Sequence, residues 1–550
     1  MTTEAVNDRI DHFFERFMES GSPGCALGVM QNGELVYRQG YGLANLEYGV
    51  PIMPSTIFHV ASMSKQFTAL AVAMLASWRK LGLDDDIRDY LPDVPDFGRP
   101  ITIRHLLHHT SGLRSDLMLL ILAGYRLEDL IANVDVMELI ARQRELNFQP
   151  GEKFSYCGSG YLLLALLIER VSGMSFAQFC REQIFEPLGM VNTHFHDDFL
   201  MVVRDRAYAY YATGESQYKN AVLTCGLTGG TGLYTSIDDL ARWDENFYSA
   251  QVGGRGVIEQ MQQPGLLNDG SEIEYAAGLI LDQYRGKKAV VHGGDGAGIH
   301  CYMMRFPAER FSVAVLGNCS GINARRLAQQ VADIYLFDLE KEAPEAGELP
   351  ETVELEETEL AARAGRYYDP DSTTFIDLEY RDGRLRLWGH EILPRSERSF
   401  FFASFPEAGA DFTLASESEP ASIMVDTGTT RTRYFWVDPM TLAPAPLSDY
   451  AGTFYSPELD VYWTISEVGE ALVVRRRRQG SSVLAPAIAD VFTDDWVASI
   501  LHGASKPMAL AFDRDERNEV CGFRISDAGA RVCNLRFDKL SAAGVLFSSG

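Results

Sequence analysis

The sequence is poor in basic residues for a chain of 550 residues. Lys and Arg number 49 against 76 Asp and Glu, which gives a formal net charge of −27. Nucleic acids and anionic membrane surfaces are bound chiefly through Lys and Arg, so this charge balance argues against both as partners. Hydrophobic residues make up 46% and charged residues 23% of the chain, which excludes disorder as its main state. At about 150 residues per domain, the length predicts three or four domains.

The chain also has no long apolar run and no paired cysteine motif. Its longest apolar runs, around 117–123 and 161–168, are far shorter than the ~20 residues that span a bilayer. The N-terminal segment MTTEAVNDRIDHFFERF has neither the basic region nor the apolar core of a secretory signal. The eight cysteines are scattered without CxxC or framework spacing, which is typical of reduced thiols. We therefore expect a cytoplasmic protein without a membrane segment.

Hydrophobic periodicity in the first 340 residues predicts helices combined with an antiparallel sheet. Apolar residues at helical spacing predict helices over 5–18, 62–80, 160–172 and 322–339, and a further helix capped by Ser236. Strands are predicted over 289–291, 300–306 and 312–316, and Asn32-Gly33 predicts the turn of an earlier hairpin. This mixture indicates an α+β domain.

A different pattern begins after residue 340. Residues 340–359 hold nine Glu and one Lys, a run of like charge that predicts a linker. Beyond it, the segment AGRYY at 364–368 recurs as AGTFY at 451–455, an offset of 87 residues. This repeat, among short alternating runs, predicts two similar all-β units, each a small antiparallel barrel. The predicted organisation is a domain over 1–340, a linker over 341–359, and barrels over 360–445 and 446–550.

Ser62 and Lys65 form a Ser-x-x-Lys motif at the start of an apolar helix. Residues three apart share a helix face, so the hydroxyl and the amine can hydrogen-bond. An unassisted serine is a poor nucleophile, and a neutral lysine beside it accepts its proton. Lysine titrates near 10.4, so its pKa must fall by about three units to serve at neutral pH, and burial supplies such a shift. The same spacing at Ser77 and Lys80 ends the helix, where an ammonium group stays charged, and is taken as a chance match.

Two further segments carry groups suited to acyl transfer. Tyr156 lies in the loop FSYCGSGY before an apolar helix, where a phenol near Ser62 and Lys65 could pass a proton to a leaving group. His292 begins the segment HGGDGAG after a predicted strand. Glycines there allow close backbone approach to a substrate and let an N–H point at a developing oxyanion. Taken alone, each segment is also compatible with a purely structural role, and Cys157 beside Tyr156 is expected to be inert packing.

Together and in this order, the three segments resemble the penicillin-recognising serine hydrolases, the group of class C β-lactamases, DD-peptidases, D-aminopeptidases and related esterases. The likeness covers about residues 10–340 and includes IRHLLHHTSGL at 103–113, PLGM at 187–190 and GGTGL at 229–233. The D-aminopeptidase type, in which a catalytic domain precedes two eight-stranded antiparallel barrels, is the most similar. The resemblance implies an α+β catalytic domain of the β-lactamase/transpeptidase kind, with no metal and no organic cofactor.

The resemblance also implies a role for each residue of the motifs. Ser62 would form an acyl-enzyme, Lys65 would be its base, and Tyr156 would shuttle the proton. His292 and Gly294 would form the His-x-Gly motif of an edge strand. The oxyanion hole would consist of the N–H of Ser62 and that of the residue after Gly294, and losing one such donor typically costs ~10²–10³ in rate. The implied substrate is a small molecule or short peptide, and the implied assembly is a homodimer.

The sequence departs from the family pattern at Gly158 and Asp295, and one family segment has no single counterpart in it. The family usually has Tyr-x-Asn, whereas Gly158 here replaces the asparagine that would hydrogen-bond the substrate or the lysine. By the same resemblance, Asp295 would supply the second oxyanion N–H and would set a carboxylate beside it, which favours a substrate with a free amino group. In the D-aminopeptidases a loop of the last barrel enters the active site. Its counterpart is expected within Arg475–Asp495, which contains a run of four Arg, Asp494 and Asp495.

Other classes remain open on the sequence alone. HFHDD at 194–198 fits the H-x-H-x-D of a metallo-hydrolase, although Phe199 stands where a further histidine ligand is wanted. GMSFA at 173–177 imitates the nucleophile elbow of an α/β-hydrolase, but an elbow follows a strand, so Ser175 is predicted to cap a helix. A non-catalytic protein that is slowly acylated by β-lactams or peptidoglycan fragments is a third alternative. The sequence favours a serine amidase or peptidase with a D-aminopeptidase-like preference, with a carboxylesterase of the same family next.

Overall fold

The computed structural model gives helices mainly in the first part of the chain and strands throughout. It describes residues 3–18, 21–214, 216–222, 224–337, 350–403, 405–415, 420–426, 431–438, 445–497, 507–527, 529 and 531–541. Within these ranges the α-helices are α1 (Thr3–Phe14), α2 (Lys65–Ser77), α3 (Ile103–Leu107), α4 (Asp116–Leu122), α5 (Asn133–Ala141), α6 (Gly158–Ser172), α7 (Phe176–Cys180), α8 (Glu186–Leu188), α9 (Ile237–Ser249), α10 (Arg255–Met261), α11 (Ala324–Leu336) and α12 (Glu357–Ala361). No single helix in the described ranges has the length and apolar composition to cross a bilayer, and the bent pair of Gly158–Ser172 with Phe176–Leu188, at 79°, meets that test on length and composition only.

A six-stranded antiparallel sheet lies at the centre of the N-terminal domain. In the spatial order β14-β15-β16-β17-β1-β2, its strands are β1 (Cys25–Gln31), β2 (Glu34–Tyr41), β14 (Ile280–Tyr284), β15 (Lys287–Gly296), β16 (Ile299–Phe306) and β17 (Phe311–Gly317). The predicted turn joins β1 to β2, and Asn32 and Gly33 have φ values of 54° and 85°, which suit a two-residue hairpin. The smaller sheets pair β3 (Leu43–Asn45) with β4 (Val50–Pro51), β5 (Phe58–His59) and β7 (His194–Phe195) with β11 (Leu233–Thr235), β6 (Ile131–Ala132) with β10 (Cys225–Gly226), β8 (Ala209–Gly214) with β9 (Gln217–Ala221), and β12 (Gly265–Leu266) with β13 (Glu272–Ile273).

Helices cover both faces of the six-stranded sheet because its inner strands are apolar on both faces. Val313 and Val315 of β17 join a core with α1 and α11, whereas Ala314 and Leu316 join the larger core that contains α2, α6 and α9. Successive side chains of a strand point to opposite faces, so a strand buried on both faces is apolar throughout. The N-terminal domain therefore has the predicted α+β architecture, with the sheet between two helical layers.

Two closed eight-stranded antiparallel barrels follow this domain. The first consists of β18 (Gly365–Asp369), β19 (Thr374–Arg381), β20 (Arg384–Leu387), β21 (His390–Pro394), β22 (Ser399–Phe402), β23 (Phe405–Thr413), β24 (Ser422–Asp426) and β25 (Arg431–Trp436). The second consists of β26 (Gly452–Ser456), β27 (Val461–Val468), β28 (Ala471–Arg476), β29 (Gly480–Ile488), β30 (Val491–Asp494), β31 (Met508–Arg514), β32 (Val520–Asp527) and β33 (Leu535–Lys539). The predicted fold class is confirmed.

The 87-residue repeat of the sequence is also a repeat of strand register. Gly365 pairs with Leu378 in the first barrel, and Gly452 pairs with Ile465 in the second. The barrels differ in their second hairpin. Strands β20 and β21 have 4 and 5 residues, whereas β28 and β29 have 6 and 9. The second barrel therefore has a longer hairpin, formed by β28 and β29.

The longer hairpin of the second barrel reaches the N-terminal domain. The Nε2 of Gln479 donates to the carbonyl oxygens of Ile121 and Tyr125, both at 2.9 Å. Arg478 forms an ion pair with Asp129 at 2.8 Å. The tip of the hairpin thus contacts the end of α4 and the loop that follows it.

A second contact between these two domains is buried. The side chain of Arg114, 0% exposed, pairs with Glu458, 4% exposed, at 2.5 Å. Beside this pair, the N–H of Ser115 donates to the carbonyl oxygen of Arg531 at 2.9 Å. The segment that leads into α4 is therefore fixed by the second barrel.

The predicted linker over 341–359 lies partly outside the described residues, since the structure resumes at residue 350. Residues 350–356 contain neither helix nor strand, and α12 forms the end of the segment. The N–H of Val353 donates to the carbonyl oxygen of Pro394 at 3.1 Å, and Leu355 packs against the core of the first barrel. The described end of the acidic segment is thus attached to that barrel.

Candidate active site

The predicted nucleophile lies on a tight turn that leads into α2. A 3-10 turn over Ala61–Ser64 continues directly into the helix, which confirms the helix predicted over 62–80. Ala61 has a φ of 43°, in the left-handed region that non-glycine residues rarely adopt. Such strain persists only where the surrounding structure holds it, and it is concentrated at functional sites. The turn leaves Ser62 partly exposed and buries Lys65 to 2% exposure.

Lys65 connects the serine to a second backbone segment. Its Nζ lies 3.1 Å from Ser62 Oγ and donates to the carbonyl oxygen of Gly230 at 2.8 Å. The same nitrogen lies 4.8 Å from the ring centroid of Tyr156 and 5.6 Å from that of Tyr161. The structure therefore brings together Ser62, Lys65 and Tyr156, which are 94 residues apart at most in the sequence.

Strand β15 passes close to the nucleophile turn. A β-carbon on Gly294 would lie 2.1 Å from the carbonyl oxygen of Val60 and 3.4 Å from the amide nitrogen of Ser62, so this position accepts only glycine. Strand β14 pairs with Lys287–Val291 and leaves the following residues of β15 to face the turn. The backbone at Gly294 therefore runs beside the amide nitrogen of Ser62, where the predicted oxyanion hole would lie.

His292 is held as a neutral imidazole on this strand. Its Nδ1–H donates to the carbonyl oxygen of Gly293 at 2.7 Å, and its Nε2 accepts from the hydroxyl of Tyr275 at 3.1 Å. Because a carbonyl oxygen only accepts, Nδ1 carries the proton. Burial, and after it the charge of Lys65, lowers the pKa of His292 to about 4. The ring is therefore uncharged at neutral pH.

Two further buried side chains, His109 and Tyr275, complete the wall around Tyr156. The ring of His109 lies 4.3 Å from that of Tyr156 and 4.6 Å from that of Tyr275, measured between centroids. The N–H of Cys157 donates to His109 Nδ1 at 3.1 Å, and burial, followed by the charge of Lys65, holds the pKa of His109 well below its usual value. The HHTSG motif was a signal for His109, whereas nothing in the local sequence marks Tyr275.

Another side chain occupies the space of the expected asparagine. A β-carbon on Gly158 would lie 2.4 Å and 2.5 Å from the two carboxylate oxygens of Asp116, the first residue of α4. Van der Waals contacts of a real β-carbon do not become this short. The glycine at 158 and the carboxylate of Asp116 are therefore linked features of this site.

The segment Arg475–Asp495 of the last barrel, expected to approach the site, makes contacts within its own barrel and with α4. Arg476 and Asp494 form a buried ion pair with each other, so both are already occupied. The tip between β28 and β29 contacts α4 and the loop after it through Arg478 and Gln479. Helix α4 begins with Asp116, the residue next to Gly158, so this hairpin contacts the helix that borders Gly158.

The competing motifs of the sequence have other positions. The Oγ of Ser175 accepts from the N–H of Gln178 at 3.2 Å and caps α7, directly after α6 rather than after a strand, so it is not a nucleophile elbow. The rings of His194 and His196 lie 5.6 Å apart between centroids. Among the described residues, no group of three or more His, Cys, Asp or Glu is arranged to hold a metal ion.

Comparison with known proteins points to one family. The beta-lactamase family model matches residues 10–335. The chain is 29% identical over 420 residues to penicillin-binding protein 4* of Bacillus subtilis (strain 168), covering 72% of this chain and 92% of that protein. It is 25% identical over 526 residues to a D-aminopeptidase of Brucella anthropi, covering 94% and 95%. The solved octameric penicillin-binding protein homologue from Pyrococcus abyssi aligns with a TM-score of 0.55 at 23% identity, over 87% of this chain and 99% of that one.

The matched residues extend from α1 to α11 and include Ser62, Lys65, Tyr156, His292, Gly294 and Asp295. They cover more than half of the chain of 550 residues. The two barrels lie outside this match, whereas the alignment with the D-aminopeptidase covers 94% of the chain and so extends into both barrels. The chain therefore belongs to the beta-lactamase family and is a serine hydrolase.

Proposed function

We propose that this hydrolase cleaves small amides and short peptides through an acyl-enzyme on Ser62, with a D-aminopeptidase-like preference for releasing an N-terminal D-residue. The observation that carries the proposal is the 3.1 Å contact between Lys65 Nζ and Ser62 Oγ beside Gly294. The substrate class is supported by the D-aminopeptidase of Brucella anthropi, which aligns with 94% of the chain and so extends into both barrels.

Acylation begins with attack of Ser62 Oγ on the scissile carbonyl carbon. The hydroxyl proton passes to the amine of Lys65, which acts as the base and lies within hydrogen-bonding distance of Ser62 Oγ. The carbonyl oxygen becomes an oxyanion that accepts from the N–H groups of Ser62 and Asp295. When the C–N bond breaks, the leaving amine takes a proton from Tyr156, which is restored from Lys65. The serine proton thus ends on the leaving group.

Deacylation reverses the proton path with water as the nucleophile. Water attacks the ester carbon, and one of its protons passes through Tyr156 to Lys65. Lys65 then returns a proton to Ser62 Oγ as the ester bond breaks. His292 takes no proton in this cycle, since its pKa of about 4 keeps it neutral and its Nε2 accepts from Tyr275. Its part is to hold the backbone of β15 next to the oxyanion.

A carboxylesterase is the second candidate, and Gly158 is the observation that favours it. An amide side chain at this position would hold a peptide group of the substrate, and glycine has none to offer. Ester cleavage by the same acyl-enzyme does not depend on that contact. The leaving alcohol also needs less proton assistance than an amine.

The test is hydrolysis of D-alanine p-nitroanilide and of its L enantiomer by the full-length protein. We expect the D substrate to be preferred and the activity to fall by at least ~10³-fold in Ser62→Ala. Ser77→Ala is the matched control, because Ser77 has the same spacing to Lys80 but donates to the carbonyl oxygen of Met74 at 2.7 Å. This control should retain full activity.

Two results would overturn the proposal. Activity that survives in Ser62→Ala would remove the acyl-enzyme mechanism. Absence of turnover of both anilides, with p-nitrophenyl acetate still cleaved through Ser62, would assign the protein to the esterases.

A further inference from the structure

We propose that the carboxylate of Asp116 binds the free ammonium group of the substrate and so selects substrates with an unblocked amine. The inference rests on the proposed function, because it names the residue that would recognise an N-terminal residue in the acyl site. It is carried by the contact between Asp116 and Gly158, by the unused acceptor capacity of the carboxylate and by the rigidity of its support.

The carboxylate occupies space that only a glycine at 158 leaves free. Its two oxygens lie 2.4 Å and 2.5 Å from the position of a β-carbon on Gly158. Gly158 is two residues from Tyr156 and opens helix α6. The carboxylate of Asp116 on α4 thus lies where a side chain of residue 158, at the start of α6, would otherwise be.

The space beside Gly158 lies close to Lys65, the proposed base. A β-carbon on Gly230 would lie 3.3 Å from the carbonyl oxygen of Gly158 and 3.6 Å from Lys65 Nζ, so Gly230 separates the two. Burial, and after it the charge of Asp116, raises the pKa of the Cys157 thiol to about 11. The field of the carboxylate therefore acts on the segment that carries Tyr156.

The carboxylate is available to a ligand. Within the described part of the protein its one hydrogen bond comes from the Oγ of Ser115 at 3.3 Å, and it has no ion pair. Asp116 is also only partly buried. By contrast, the carboxylate of Asp295 already binds Nδ1 of His300 at 2.7 Å and is 75% exposed. Of the two acidic residues near the site, Asp116 is therefore the better partner for a substrate cation.

The support of Asp116 is rigid, as a specificity residue requires. The residues before it are fixed by the second barrel, through the buried pair of Arg114 with Glu458 and the bond from Ser115 N–H to the Arg531 carbonyl. The backbone before Asp116 therefore need not be ordered when the carboxylate binds a ligand.

The chemistry of the ligand follows from the charge. A carboxylate with unused acceptor sites binds an ammonium group through charge-assisted hydrogen bonds. An N-acylated amine has lost its charge and gained bulk, so it neither pairs with Asp116 nor fits beside Gly158. We therefore expect free amines to be bound and N-acylated analogues to be rejected.

The test compares two competitors of p-nitrophenyl acetate hydrolysis, D-alaninamide and N-acetyl-D-alaninamide. Each apparent inhibition constant is measurable whether the competitor is turned over or only bound. In the native protein, the free amine D-alaninamide should compete more strongly. In Asp116→Asn its constant should rise by about 10-fold to 100-fold, whereas that of the N-acetyl compound should not rise. Asp93→Asn, which removes an exposed carboxylate distant from Asp116 in the sequence, is the control and should change neither constant.

The outcomes distinguish the two proposals. If D-alanine p-nitroanilide is hydrolysed with a D preference and Asp116→Asn leaves the ratio of the two constants unchanged, the inference fails and the proposed function stands. A lower melting temperature with the same ratio would mean that Asp116 only stabilises the helix starts. If neither anilide is hydrolysed but the ratio still depends on Asp116, the proposed function fails and the ammonium site stands.

Discussion

The carbonyl oxygen of Val60 lies 2.1 Å from the place of a β-carbon on Gly294, so the nucleophile turn and strand β15 are in backbone contact. This contact brings two stretches of the protein, 60–62 and 294–295, to the same side of the site. A methyl group at position 294, as in alanine, would clash with this carbonyl oxygen and displace the proposed oxyanion hole.

We therefore expect Gly294→Ala to lower kcat/KM for p-nitrophenyl acetate by about 10²-fold or more, the loss typical of a displaced oxyanion donor. Gly296→Ala is the matched control, because its β-carbon would meet only the side chain of Ala61, at 3.9 Å. Steady-state kinetics of both variants, with melting curves to show that they fold, provide the measurement. Equal activities would contradict the geometry of the oxyanion hole.

Lys65 and Lys80 offer a second matched pair. Both stand three residues after a serine, but Lys65 is buried against Ser62 whereas Lys80 is exposed. Lys65→Ala should slow acylation by ~10²–10⁴-fold, the usual contribution of a positioned general base. Lys80→Ala should acylate at the native rate. Mass spectrometry of the protein after brief exposure to an activated ester measures the acyl-enzyme directly, and normal acylation of Lys65→Ala would exclude it as the base.

Buried histidines predict how stability depends on pH. Burial, and after it the charge of Arg206, lowers the pKa of His59 to about 3, and burial lowers that of His292 to about 4. Histidines in the unfolded protein titrate near 6.5, so between about 4 and 6.5 the unfolded state binds protons that the folded state does not. The free energy of unfolding should therefore fall as the pH falls through this window, by at most ~1.4 kcal/mol per pH unit for each such histidine.

Denaturant unfolding at pH 7, 6 and 5 measures this dependence. We expect a progressive loss of stability between pH 7 and pH 5. A stability that stays constant or rises on acidification would show that these rings are charged in the folded state.

The buried pair of Arg114 and Glu458 predicts a large and local effect on stability. Glu458→Gln leaves a buried guanidinium without its counter-charge, which typically costs about 3–5 kcal/mol. Asp129→Asn breaks the pair with Arg478, whose side chain is 51% exposed, and should cost about 1 kcal/mol or less. Chemical denaturation compares the two, and similar costs would show that Glu458→Gln does not leave an uncompensated buried charge.

The sequence predicted those features that depend on regular local spacing. Ser62 and Lys65 meet because three residues make about one turn of a helix. The AGRYY and AGTFY segments start equivalent strands because they repeat at one offset, and the partners Leu378 and Ile465 follow at that same offset.

The remaining features depend on how distant elements pack, which spacing does not reveal. Gly158 appeared in the sequence only as a missing asparagine, since the carboxylate that fills its space belongs to a helix that starts 42 residues earlier. Tyr275 reaches His292 because the loop before β14 folds back on β15. The sequence also offered several candidates between Arg475 and Asp495 without showing that Arg476 and Asp494 bind each other.

The two barrels repeat the same register, yet only the second has a lengthened hairpin between β28 and β29 that touches α4. Growth of a hairpin by residue pairs adds length at its tip without shifting the pairing at its base. A repeated barrel can in this way gain a contact with another domain while the strand pairing at the base of the hairpin stays the same. The copies are then under unequal constraint: the tip at 477–479 must keep its contacts with α4 and the loop after it, whereas the corresponding turn of the first barrel packs within its own barrel, where Trp388 stacks on Phe402.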